Sequence, residues 1–222
     1  MPTKRTQTGF TLVEIAIVLV IIGLLLGGIL KGQEMITQAR IKNVINDFNG
    51  ITAAYASYHD RYRAIPGDDV NAAGRWTAAT AVSGNGNGQV AGAYNATASS
   101  PPVTGEESNL FWWHLRLSGF IAGATAPTQG AANQPTNAVG GMVGVTTGDG
   151  TAGMMSFSGL IVCSSNLPDK IAIAVDTQTD DQSSNTGTVR GMLQAGANPN
   201  IGAAAASYAE TGSNQYLVCK GV

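Results

Sequence analysis

The chain has 222 residues, room for one or two domains. Charged residues are scarce at 12% and Gly is abundant at 29, which suits a secreted or surface-exposed protein with long loops, while a net charge of −2 argues against a nucleic-acid binder working through bulk electrostatics. The two cysteines, Cys163 and Cys219, are too few and too far apart for a zinc site; outside the cytoplasm they are candidates for one disulfide.

The chain opens with "MPTKRTQTG", short and polar, carrying Lys4 and Arg5. The run from Phe10 to Leu30 is apolar with one fault, the carboxylate of Glu14 near its start. As a helix its 21 residues would span about 31 Å, enough to cross a hydrocarbon core. Basic residues ahead of it orient the leader to the cytoplasm and the rest outward. A secretory signal is a poorer reading, because the run is too long and no A-x-A-like cleavage site follows. A plain membrane anchor explains the length but not Glu14, since a carboxylate in a membrane segment costs roughly 2.5–3.5 kcal/mol, less near the interface. Gly9 is the one Gly at the polar–apolar junction. Cleavage after it would leave the apolar run on the mature chain and create a positive amine at Phe10. That amine could neutralise Glu14 of a neighbouring helix and set an axial register between chains; within its own helix Glu14 also meets a favourable dipole.

The stretch "GFTLVEIAIVLVIIG" resembles the type IV prepilin signature: a basic leader ending in Gly, then Phe-Thr-Leu, an apolar residue and Glu. The resemblance implies that Gly9 and Phe10 flank the cleavage site of a membrane prepilin peptidase. It implies that Phe10 is then N-methylated, and that Phe10 and Glu14 direct assembly. Gly23 fits a family whose helix loosens locally in filaments. Lys31 departs from the family, where many pilins carry Pro, though Gly23, Gly27, Gly28 and Gly32 can supply flexibility.

Beyond Leu30 the positions Ile41, Val44, Phe48, Ile51, Tyr55, Tyr58 and Tyr62 recur at spacings of three and four, one apolar stripe of an amphipathic helix. A coiled coil would want branched aliphatics over more heptads; three Tyr suit a helix lying on a sheet. Pro66 and Gly67 in "AIPGDD" predict the stop, giving one helix of about 50 residues. Residues 67–105 read as Gly/Asn/Ser/Pro-rich loop. A second helix follows in "TGEESNLFWWHLRLSGFIAG", with capping-box spacing between Thr104 and Glu107 and a stop at Gly119; Leu110, Trp113, His114, Leu117 and Ile121 share a face. The runs "GGMVGVTTG", "GMMSFSGLIVC", "GTVRGML" and "NQYLVCKGV" read as strands. "NLPDKIAIAVDTQTDD" is ambiguous and leans to helix, with Asn166, Pro168 and Asp169 as a helix start. The expected fold is α+β: a long N-terminal helix, its apolar half protruding, packed on an antiparallel sheet. Its expected parts are a leader (1–9), a membrane or filament-core helix (10–30), an amphipathic helix of the head (31–65) and a globular head (66–222).

"RAIPGDD", the Asn/Gly loop, "FWWHLRLSGFIAG" and "CSSNLPDKIAIAVDTQTDD" resemble a recurrent head pattern of longer pilin-like proteins. In pilins a C-terminal disulfide often bounds a variable surface loop; Cys163 and Cys219 would enclose 219 − 163 − 1 = 55 residues.

Nothing points to an enzyme: no "GxSxG" elbow, Walker loop or dinucleotide fingerprint is present. His59, followed by Asp60 and Arg61, reads as solvated; His114, after two Trp, reads as a helix-edge packing residue. No metal or other cofactor is expected, although Asp176, Asp180 and Asp181 are candidate calcium ligands, with an ordinary polar turn the favoured reading. The resemblance thus implies a type IV pilus subunit for adhesion, motility or DNA uptake, held in the bacterial inner membrane before assembly. Its partners would be other pilin subunits, prepilin peptidase and an inner-membrane assembly platform, with no nucleic acid bound directly. The alternatives are a pseudopilin of type II secretion in the periplasm and a membrane-anchored surface binding protein.

Overall fold

The structure, a computed structural model, describes residues 11–222. The chain divides into two compact units, Met1–Ala39 and Arg40–Val222. Helix α1 runs Leu12–Tyr62, 51 residues without a Pro. It ends earlier than Pro66 predicts. Arg63 takes a left-handed backbone (φ 52) and its N–H donates to the His59 carbonyl at 2.8 Å, the single-bond C-terminal motif. Two residues on, Ile65 precedes Pro66 and is disfavoured in helical geometry, so the helix has no continuation beyond this turn.

In the first unit the apolar side chains have no cover. Leu12 is 86% exposed and Leu24 74%. In the second unit Ile41, Val44, Phe48 and Ile51 are buried and share a core with Val143, Val145, Val162 and Val218 of the sheet.

The sheet has four antiparallel strands, β1 (Val143–Asp149), β2 (Ser158–Pro168), β3 (Val189–Leu193) and β4 (Gln215–Gly221), in the order β1-β2-β4-β3. The four runs read as strands are therefore the four strands, although β2 begins only at Ser158, after a turn of 3-10 helix at Ala152–Met154. The last strand lies in the middle of the sheet. Alternation gives the sheet two buried faces: Val162 and Val218 join the core shared with α1, while Ile161, Cys163, Leu217 and Cys219 form a second cluster with Tyr94, Met155 and Phe157. Both edges are covered. Along β1, Thr147 donates its N–H to the Val90 carbonyl at 3.1 Å; along β3, Gly191 donates to Ser184 at 2.9 Å and accepts from Ala205 at 2.8 Å. Neither edge offers a bare row of donors and acceptors for a further strand.

Three shorter helices complete the second unit. α2 is one turn, Ala72–Arg75. α3, Glu107–Leu117, is buried on both sides: Phe111, Trp112 and Leu115 face the main core, and Leu110 and Trp113 pack on Ala131 and Ala132. The expected capping box does not form, because Glu106 is the N-cap and Glu107 is buried and engaged elsewhere. Gly119, at φ 79, provides the expected stop. The ambiguous segment is helical, α4 (Asp169–Thr179), but it starts after Pro168; Asn166 belongs to β2, at φ 59, where the register with β4 shifts between Ser164 and Leu167.

Candidate functional site

The start of α1 is a capping box. Thr11 is the residue before the first helical position, and Glu14 is the third within it. The Glu14 carboxylate accepts from the Thr11 backbone N–H and from the Thr11 hydroxyl, both at 2.8 Å, and the Glu14 N–H donates back to the Thr11 Oγ1 at 3.3 Å. Two otherwise orphaned helix-end donors are satisfied reciprocally, and the negative charge sits at the positive end of the helix dipole. The signal was in the sequence, as Thr-x-x-Glu ahead of an apolar run. The carboxylate thus has a local partner in a single chain and keeps acceptor capacity for a cation. Gly9 and Phe10, the expected cleavage site and amine, lie outside the described residues.

Around this cap the helix is long and apolar enough to cross a membrane, with a mean hydropathy of 2.8 in its best window and none of that window buried. Gly23, Gly27, Gly28 and Gly32 have open space where a Cβ would stand, so a second helix could approach closely there.

Three polar anchors gather beyond the far end of α1, two in the turn after Ile65 and one at the start of α3. Asp68 accepts N–H bonds from Gly86 (2.5 Å), Asn87 (3.1 Å) and Gly88 (2.7 Å), and Glu107 accepts from Asn85 (3.1 Å) and Ala91 (2.9 Å). The Asn/Gly loop therefore aims its amides inward at the chain's own carboxylates. Asp69 accepts from the Tyr58 hydroxyl at 2.7 Å, from the Asn71 N–H at 2.8 Å and from the Arg75 guanidinium. Burial pushes the Asp69 carboxyl upward, but these bonds outweigh it and hold it below the usual carboxylate range. Arg75 also lies over the rings of Tyr62 and Trp76, at 4.3 and 5.1 Å. The Tyr58 hydroxyl thus ends in this polar and aromatic cluster, while its ring belongs to the core that α1 shares with the sheet.

His114 is fully buried, not at a helix edge. Its Nδ1 accepts from Gly67 N–H at 2.9 Å, so Nε2 carries the proton and donates to the Val82 carbonyl at 2.8 Å. Burial lowers its pKa to about 4, and it is neutral at physiological pH. Both nitrogens are engaged, so neither serves as a catalytic base. His59 is exposed, as its neighbours suggest.

The candidate calcium ligands do converge: carboxylate oxygens of Asp176, Asp180 and Asp181 lie within 4.8 Å of one another. Each carboxylate is already used. Asp176 accepts from Tyr208 and Gln182, Asp180 from Val189, and Asp181 from Ser183 and Thr186. The arrangement staples the turn between α4 and β3. Cys163 and Cys219, opposite each other in β2 and β4, form a disulfide.

Residues 4–30 match the family model described as the prokaryotic N-terminal methylation motif. Comparison with curated proteins and with solved structures gives no match. The motif and the apolar helix that follows support membrane anchoring before assembly, processing by a prepilin peptidase and assembly with other subunits.

Proposed function

We propose that this chain, which carries the type IV prepilin signature at residues 4–30, is a structural subunit of a type IV pilus. Prepilin peptidase cuts between Gly9 and Phe10 and methylates the Phe10 amine. The head waits outside the cytoplasm, and a membrane assembly platform moves the helix from lipid into a filament core. The observation that carries this reading is the start of α1: a capped carboxylate followed by an apolar surface that its own chain leaves uncovered. Lipid and neighbouring helices can each cover that surface in turn, and Glu14 supplies the polar mark that fixes register among apolar helices. The covered sheet edges favour the same route, since strand addition has no open edge to use. The role is structural; no reaction is assigned to the head.

The test is deletion of the gene in its host, with surface filaments and protein secretion both scored. Loss of pili supports the pilus subunit. Loss of a secreted protein with pili intact would instead make the chain a pseudopilin of type II secretion. If both persist and the chain remains an unpolymerised membrane protein, it is an anchored surface protein.

A further inference from the structure

A groove of about 280 Å³ opens beside α1 in the second unit. Ile51, Phe120, Ile121 and Val143 give it apolar walls, and Asp47 stands in its lining. Asp47 is half-buried and makes no hydrogen bond or ion pair among the described residues. Burial without compensation raises its carboxyl above the usual range. A carboxylate in an apolar wall is a cost that a cation would remove.

The chain presents such a cation on the same helix. Arg40 is exposed and likewise without a partner among the described residues. Just before it Met35 and Ile36 are 64% and 56% exposed. Arg40 and Asp47 are seven positions apart, about two turns, so the two share a face of α1 but stand about 10.5 Å apart along it. That lies beyond the i+3 and i+4 neighbours that pair on one helix.

We propose that Arg40 of one copy docks at the Asp47 groove of a second, parallel copy displaced by about two helical turns. The occupant is identified by charge and shape: a cation next to exposed apolar side chains, meeting a carboxylate in an apolar groove. The inference rests on the filament reading and adds to it a contact at the base of the head. Two different patches meet, so the contact is head-to-tail and repeats without closing.

The experiment uses the full chain, processed and assembled in cells, carrying both Arg40→Cys and Asp47→Cys. The native cysteines are already paired, leaving no other thiol. Within one chain the new cysteines cannot join, because their Cα separation of about 10.5 Å exceeds the roughly 7 Å a disulfide spans. Oxidised filaments of the double variant should run on a non-reducing gel as a ladder of several chains, while each single variant gives none. In parallel, Asp47→Arg and Arg40→Asp should each lower filament yield by about tenfold or more, and the two together should restore it. If the parent chain forms no filaments, both the subunit reading and this contact fail. If the parent and the double-cysteine chain assemble but no ladder forms, or the single variants cross-link equally, the contact is wrong and the subunit reading stands.

Discussion

The backbone N–H of Gly67 donates to Nδ1 of His114 at 2.9 Å, tying the turn after α1 to the buried centre of α3. Gly67 is needed there: its φ is 90, and a Cβ would fall 2.5 Å from the Glu107 carbonyl oxygen. Gly67→Ala is predicted to destabilise the head by about 1–3 kcal/mol, read as a lowered denaturation midpoint.

Burial of the same ring makes the head acid-sensitive. The His114 pKa falls from 6.5 to about 4 on folding. The unfolded chain therefore binds the extra proton between these values, and stability is lost as pH falls through that window, by up to roughly 3 kcal/mol. Asp176 has the opposite sign. Burial raises its pKa from 3.8 to about 6, against bonds from Tyr208 and Gln182, so its contribution is present at low pH and lost as pH rises through about 6. The two effects offset each other between about pH 4 and 6. Asp176→Asn should raise stability at pH 7 by about 1–2 kcal/mol and steepen the loss on acidification. Urea titrations of parent and variant across this range check both signs; a parallel pair of pH profiles would contradict the assignment.

The disulfide holds the last strand in place. β4 enters the sheet between β2 and β3, which precede it in the chain, so its pairing closes long loops. Cys163–Cys219 fixes it across a sequence separation of 56, worth about 4 kcal/mol in the chain-entropy model. Reduction, or the Cys163→Ala/Cys219→Ala pair, should lower Tm by roughly 8–16 °C. Hydrogen exchange should speed most in β4 and in β3, which pairs in the sheet only with β4.

The long helix was legible because Ile41 to Tyr62 keep one spacing with no Pro between them, and the strands because Gly and Asn bound each alternating run. What covers each face was not legible. The Tyr58 ring joins the core shared with the sheet, as its spacing suggests, but its hydroxyl goes to Asp69, eleven residues on, through a turn that spacing does not describe. Glu107 looks like a capping residue until the loop at Asn85 claims its carboxylate. His114 follows two Trp and reads as packing, but its two backbone partners come from separate segments near Gly67 and Val82. At the N-terminus the reverse holds: Thr11 and Glu14 have the spacing of a capping box, and the local bonds that spacing describes are formed.

That bond separates two roles of Glu14. Gln can serve in a capping box, so Glu14→Gln should keep the helix start and the membrane level of the chain while losing the charge that meets a neighbour's amine. Its filament yield should fall by about tenfold or more. Thr11→Ser should assemble like the parent, because the hydroxyl is retained, whereas Thr11→Val should lose about 1 kcal/mol of capping. Immunoblots of membranes and of sheared filaments from the same cells distinguish these outcomes.

The most direct measurement is the intact mass of the subunit in filaments sheared from cells. The filament subunit should begin at Phe10, nine residues shorter than its precursor at the N-terminus, with one added methyl group and the disulfide intact. A filament-free membrane protein beginning at Met1, or one cut anywhere other than after Gly9, would contradict it.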